Sequence, residues 1–142
     1  MERFATEGDA AELVALFRHL SSQDHPGTEA QAAAMLRQLA LWPGSGVVVA
    51  GDPIAASCTL IVAPNLSRGG QPWALIENVV TSPSQRRQGL GHAVLRFAIE
   101  RAWEAGCYKV MLMTGRSDPG IHAFYEGAGF AQSKTGFQIR RR

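Results

Sequence analysis

Trp73-Ala74-Leu75-Ile76-Glu77-Asn78-Val79-Val80-Thr81-Ser82-Pro83-Ser84-Gln85-Arg86-Arg87-Gln88-Gly89-Leu90-Gly91-His92-Ala93-Val94 is the stretch on which the reading of the chain turns. Its apolar run 73–80 predicts a strand, closed by Thr81-Ser82-Pro83, and residues 90–104 predict a helix. A short basic loop with two glycines joins them. Strand, glycine loop and helix in that order turn unpaired N–H groups toward one point, where the helix dipole adds partial positive charge. Gly89 and Gly91 allow the backbone near a ligand where a β-carbon would intrude, and Arg86 and Arg87 add mobile charge. The guest expected at such a point is a phosphate or pyrophosphate.

Three phosphate-binding patterns compete for this loop. A P-loop ends in Gly-Lys-Ser/Thr, and no such ending is present. A dinucleotide fingerprint needs a third glycine, where this chain has Val94, and an acid on the next strand, where 108–113 has none. The third pattern is Arg-x-x-Gly-x-Gly after a strand ending Val-Val-Thr, met here by Arg86, Gly89 and Gly91. Further on stands Phe124-Tyr125-Glu126-Gly127-Ala128-Gly129-Phe130. Together, the loop and this second motif resemble the GNAT superfamily of acyl-CoA N-acyltransferases, over roughly the whole chain and most clearly from Leu75 to Phe130.

The whole chain is compatible with that resemblance. At 142 residues it is long enough for one domain with its own core. Hydrophobic residues make up 46% and charged ones 18%, the balance of a soluble globular protein rather than a disordered one. A net charge of +2 is too small to argue for nucleic acid, and no apolar run approaches the length of a membrane span. Cys58 and Cys107 form no Cys-x-x-Cys pair and read as reduced thiols of a cytoplasmic protein, as does an N-terminus without a signal-peptide pattern. Four scattered histidines predict no metal site.

Before the decisive stretch, residues 3–6 predict a short strand. Asp9 predicts the N-cap of a helix running to Leu20, with Leu13, Leu16, Phe17 and Leu20 at helical spacing. Residues 21–27 read as a loop. Thr28 and Gln31 predict a capping box opening a second helix, with Met35, Leu36 and Leu39 as its buried stripe and Trp42-Pro43-Gly44 as its stop. Residues 47–50 and 54–63 predict antiparallel strands about a Gly51-Asp52-Pro53 turn, and 65–71 a connection. Gly106 ends the helix 90–104, and 108–113 predicts a strand parallel to 73–80. Asp118 ahead of Pro119 predicts a capped helix to Ala128, stopped by Gly129, after which 130–140 predicts a hairpin or paired strands bent near Gly136. The expected fold class is α/β: a GNAT-like mixed central β-sheet flanked by helices, as a single domain over 1–142.

The resemblance implies acetyl-CoA as cosubstrate, with no metal, and an N-acetyltransferase moving the acetyl group to a primary amine by direct attack on the thioester. It places the CoA pyrophosphate on the backbone amides of 87–92, with Arg86, Arg87, Gln88, Gly89, Leu90, Gly91 and His92 forming the loop. It pairs the backbone of Val79, Val80 and Thr81 with the pantetheine arm as an added strand. Tyr125 matches the family tyrosine that protonates the departing thiolate. Asp118 stands where the family often has an asparagine contacting CoA, a departure that keeps the capping role and puts the CoA contact in question.

An attacking amine must be neutral. For a lysine-like amine of pKa ~10.4, deprotonation at pH 7 costs about 4 to 5 kcal/mol, so a general base helps. Glu77, interrupting an apolar strand, is the candidate, and the plainer reading is a sheet ion pair with an arginine. Strand alternation puts Asn78 on the opposite face from Glu77. His122 shares a helix face with Asp118 and Tyr125 and is a second candidate base. Arg116 and Ser117 end a strand where α/β ligands bind.

In this family the acceptor pocket falls to 20–27 and 132–138, with Asp24, His25 and Lys134, which do not specify the amine. The short run Ile76-Glu77-Asn78-Val79 is similar to the branch with amino-sugar phosphate acetyltransferases. The expected partner is a small-molecule amine, with no nucleic acid and no membrane. Homodimers are common in the family, so a homodimer stays open. A protein or peptide N-acetyltransferase and a non-catalytic CoA-binding sensor are the alternatives.

Overall fold

Five strands form one sheet in chain order: β1 (Arg3–Phe4), β2 (Gly46–Ala50), β3 (Ala56–Ala63), β4 (Trp73–Thr81) and β5 (Val110–Leu112). They are seen in a computed structural model that describes residues 1–21 and 25–141. The first four strands run antiparallel in turn, while β5 is parallel to β4, so the sheet is mixed as expected. All five strands lie in the first of two compact units, Met1–Leu112 and Met113–Arg142.

Strand alternation sorts the core into two layers. Val48 pairs with Cys58, whose Sγ lies 3.6 Å from the Val94 carbonyl of α3 (Leu90–Glu104), so this face of the sheet meets α3. Val49 points the other way. It packs with Ala10 and Leu13 of α1 (Ala10–Phe17) and Leu36 of α2 (Glu29–Ala40). Leu60, Ile76 and Leu95 are fully buried, each worth about 1.5–3 kcal/mol of transfer free energy.

Local signals read in the sequence recur as geometry. Thr28 and Gln31 close the capping box at α2: the Gln31 N–H donates to Thr28 Oγ1 at 3.2 Å, and the Thr28 N–H to Gln31 Oε1 at 2.8 Å. At the end of α3, Gly106 at φ 86° donates to the Trp103 carbonyl and Cys107 to that of Ala102, a Schellman stop.

Other expectations are corrected. Asp9 precedes α1 but does not cap it. Its carboxylate accepts from the Thr6 N–H at 2.8 Å and pairs with Arg3 at 2.7 Å, closing a 3₁₀ turn over Glu7–Asp9. Two nearer donors upstream outcompete the helix amides. Of the expected stripe of α2, Leu36 is buried and Leu39 half-buried, but Met35 is 59% exposed, and the partly buried Ala32 and Ala33 pack beside Leu36 in its place. The first helix ends at Phe17, and the strands expected over 54–63 and 108–113 are shorter than their apolar runs. Residues 130–141 form no strand. Phe137 and Ile139 are 93% and 97% exposed, so no burial holds a ladder there. The expectation for Asp24 lies outside the described residues.

In the second unit, α4 (Pro119–Gly127) opens on Asp118 with Pro119 at its first position. Asp118 holds the N-cap position with extended backbone, yet its carboxylate does not bond the helix amides. Oδ1 lies 3.4 Å from Arg116 Nε instead.

Candidate active site

Residues 76–92 run without a break from β4 to the first turn of α3. Pro83–Gln85 is a 3₁₀ turn whose Gln85 N–H donates to the Ser82 carbonyl, and the Ser82 N–H donates to the Ala55 carbonyl at 2.7 Å, tying the loop to the residue just before β3. The chain then turns through two left-handed residues, Arg87 at φ 64° and Gly89 at φ 78°. Gly89 is the N-cap of α3 and has no side chain with which to cap it. The next amide to bond within the helix is that of Ala93, which donates to the Gly89 carbonyl at 2.9 Å.

Among the described residues, the N–H groups of 86–91 donate to no backbone carbonyl. A β-carbon built on Gly89 would meet nothing within 4 Å. The cradle is therefore open in front and lined by unused donors. Arg86, Arg87, Gln88 and Gly89 are exposed, Leu90 is half-buried and Gly91 is buried in the first turn. Among the described residues, neither arginine joins an ion pair, so their charge is not neutralised by a carboxylate. Unused amides, a helix N-terminus and two unpaired guanidinium groups fit a pyrophosphate.

Upstream of the loop, β4 is irregular. Thr59 pairs with Glu77 and Ser57 with Val80, so β4 carries one more residue than β3 across that interval: a β-bulge. Asn78, within it, has φ 54°. The pairing of β4 with β5 covers only Ala74–Ile76 against Val110–Leu112. Beyond Ile76, then, among the described residues β4 pairs with β3 on one side and with no strand on the other. Val79, Val80 and Thr81 lie on that stretch, outside the β4–β5 ladder.

The bulge also corrects the expected alternation. Glu77 and Asn78 are both exposed, between buried Ile76 and buried Val80, where a regular strand would hide one of them. Among the described residues, Glu77 joins no ion pair, which removes the sheet salt bridge as its explanation. Two adjacent polar residues inside an apolar run were the sequence signal for this bulge, and alternation alone did not use it.

In the second unit, Tyr125 is half-buried on α4. Its ring lies edge-on to Phe124 at 5.1 Å and to Phe130 at 6.3 Å. Gly129, at φ 100°, donates to the Glu126 carbonyl, and Phe130 to that of Tyr125. That is a second Schellman stop, with Phe130 packed back on Tyr125. The Phe124–Phe130 motif is thus a helix end that fixes one tyrosine. Asp118 and His122 precede Tyr125 along the same helix, with Asp118 exposed and His122 half-buried.

Neither cysteine suits nucleophilic catalysis. Burial pushes the Cys58 thiol up to about 12 and raises that of Cys107. Among the described residues, no group of three metal-ligating side chains is assembled, and no helix is long and apolar enough to cross a membrane. A depression of about 300 Å³ flanks the loop, lined by Asp52, Ser82, Ser84, Gln85 and Gln88 among others. A larger one, about 780 Å³, lies between α1 and the start of α2 and includes Arg18, His25 and Glu29.

A mixed sheet, a bulged β4 and a loop of unused amides at a helix N-terminus together define an α/β protein of the acyltransferase kind. The chain belongs to the GNAT family of acetyltransferases, whose family model matches residues 13–130, and it is an N-acetyltransferase with acetyl-CoA as donor. It is similar to a rice (Oryza sativa subsp. japonica) protein provisionally named glucosamine 6-phosphate N-acetyltransferase 2. The two are 35% identical over 126 residues, covering 84% of this chain and 74% of the rice protein. Among solved structures, it resembles one from Agrobacterium tumefaciens str. C58 assigned to the acetyltransferases, with a TM-score of 0.91, 46% identity and 99% of both chains covered. A Trypanosoma brucei acetyltransferase superposes with a TM-score of 0.84 at 29% identity, again over 99% of both chains.

Proposed function

We propose that the protein acetylates the primary amine of a small molecule, and that an amino-sugar phosphate is the first acceptor class to test. The observation that carries the acetyl-transfer reading is the donor side, with unused amides at 86–91 beside the 79–81 stretch of β4, and the small-molecule acceptor is supported by the names of the relatives. The amino-sugar phosphate class is supported by the name of the rice relative and by the strand Ile76-Glu77-Asn78-Val79. Activity is assigned to the whole chain, 1–142, as one catalytic domain in a reducing compartment such as the cytoplasm. Its acceptor is a small molecule rather than nucleic acid or membrane, and a homodimer is compatible with this reading.

In this assignment the amides of 87–92 hold the pyrophosphate, with Arg86 and Arg87 adding charge, and the backbone of Val79, Val80 and Thr81 receives the pantetheine arm. Glu77, exposed and without an ion-pair partner among the described residues, takes a proton from the attacking amine directly or through water. Tyr125, held by the stop at Gly129, gives a proton to the leaving thiolate. A phenol of reference pKa ~10 carries that proton at pH 7. Asp118, paired with Arg116, is assigned a place beside the CoA moiety.

Free-thiol release from acetyl-CoA over a panel of amino-sugar phosphates, other small amines and peptides tests this reading. Acceptor-dependent release is expected. Glu77→Gln should lower kcat by about 100-fold or more without loss of acetyl-CoA binding, and Tyr125→Phe should lower kcat likewise. Turnover with peptides only would move the assignment to protein acetylation. Tight acetyl-CoA binding without release on any amine would favour a sensor.

A further inference from the structure

We propose that Thr59 and Ser57 on β3 are positioning residues for the base, their hydroxyls holding a water against the Glu77 carboxylate. The inference rests on the acetyl-transfer reading above and names the residues through which its base is served.

Strand register brings the three side chains to one face of the sheet. Thr59 pairs with Val47 of β2 on one side and with Glu77 of β4 on the other, and Ser57 pairs with Val49 and Val80. Opposite residues of an antiparallel pair share a face, and so do residues two apart on one strand. Val47 and Val49 pack with Ala10 and Leu13 of α1 and Leu36 of α2, which identifies the face. Cys58, between Ser57 and Thr59, points the other way, to the Val94 carbonyl of α3. Along the row Val47–Thr59–Glu77 the first two residues are half-buried and Glu77 is exposed, so the row leads from the core to the open end of the base.

Ser57 supplies the second observation. Its side chain has no exposure, and its Oγ has no hydrogen-bond partner among the described residues. The other buried polar side chains described are both paired: Asp9 with Arg3, and Ser45 Oγ with the Val62 N–H. A buried hydroxyl without a partner is a cost that alanine at the same place would avoid, so its presence calls for a use. A water inside a protein needs about two to four polar partners. Ser57 Oγ, Thr59 Oγ1 and the Glu77 carboxylate offer them on one face.

The amine arrives as an ammonium ion. The water takes one of its protons while passing one of its own to a Glu77 carboxylate oxygen, which leaves the amine neutral and Glu77 protonated. Thr59 and Ser57 keep their protons. They fix where the water stands.

Steady-state kinetics of the full chain, Thr59→Val, Thr59→Ser and Ser57→Ala, each with and without Glu77→Gln, test this. The substrates are acetyl-CoA and the amine that gives the fastest thiol release in the panel above. Thr59→Val should lower kcat by about tenfold, the scale of a hydrogen bond to a charged group, with the acetyl-CoA KM within about twofold. Thr59→Ser, which keeps the hydroxyl, should recover kcat to within about threefold of the unaltered chain. Ser57→Ala should lower kcat by about threefold or more. In the Glu77→Gln background neither Thr59→Val nor Ser57→Ala should lower kcat further by more than about twofold, because the water then serves no base.

A merely structural role would act whether or not Glu77 is present. Losses that multiply with that of Glu77→Gln, full kcat in Thr59→Val or in Ser57→Ala, or Thr59→Ser as slow as Thr59→Val, would overturn the proposal. Should Thr59→Val not fold, Thr59→Ala takes its place with the same expectations. If no amine releases thiol, the acetyl-transfer reading fails first, and if Glu77→Gln keeps full kcat, the base assignment fails; either takes this inference with it. A slow Glu77→Gln beside hydroxyl variants of full kcat removes the inference alone.

Discussion

In α3, Val94, Leu95, Ala98 and Ala102 have no measurable exposure, whereas in α4 no residue is buried. Both helices end in the same way, with a left-handed glycine and a Schellman pair of hydrogen bonds, at Gly106 and at Gly129. The stops are equivalent and the packing is not. A 15-residue helix pressed on a sheet draws its stability from burial, whereas a 9-residue helix with no buried residue depends on its ends. The loop at the start of α3 is thus anchored by a core, and Tyr125 by a local motif. Residues that move least and residues that open most easily are expected in those two places respectively.

The largest effect should come from removing the packing that α4 lacks. Leu95→Ala should cost about 2–5 kcal/mol in a denaturant melt, because the surroundings of a fully buried leucine relax only in part. A loss below about 1 kcal/mol would mean that the two helices differ less than their burial indicates.

A smaller effect is expected at the sheet edge, where a polar clasp replaces hydrophobic burial. The hydrogen bond and charge of Arg3, with the Thr6 N–H, hold the Asp9 carboxyl down to about 2 from 3.8. A depressed carboxyl stabilises the fold above its unfolded pKa, and that contribution is lost as pH falls through the folded value. Stability should drop between about pH 4 and pH 2 by about 1–2 kcal/mol, discounted because the Arg3 side chain is half exposed. Arg3→Ala should flatten that part of the acid profile.

The smallest effect tests the local motif. Gly129→Ala forces a β-carbon into φ 100° and should cost about 1 kcal/mol, confined to the last turn of α4. Amide exchange at Phe130 should quicken by about fivefold, since 1 kcal/mol is about that factor. Turnover should fall more than acetyl-CoA affinity if Tyr125 acts as proposed. An unchanged Phe130 amide would show that the stop does not hold the tyrosine.

What the sequence determined by itself is whatever depends on neighbours a few residues away. The Thr28–Gln31 box, the stops at Gly106 and Gly129, and the strand–loop–helix from 73 to 104 follow from steric limits on φ and from unpaired helix-end amides. The same local signals carried the family resemblance. Where a side chain or strand had two destinations, only the tertiary structure chose. Asp9 went to Arg3 and Thr6 rather than to the helix amides, because those donors lie nearer in the fold. Met35 turned out of the core and Ala32 and Ala33 turned in, because the angle at which α2 meets its neighbours selects the buried stripe. Residues 130–140 were expected to pair as strands, but a strand needs an edge that pairs with it, and they form none. The adjacent polar pair Glu77-Asn78 hints at the bulge, but its place depends on the register of β3 against β4, a relation between residues some twenty positions apart.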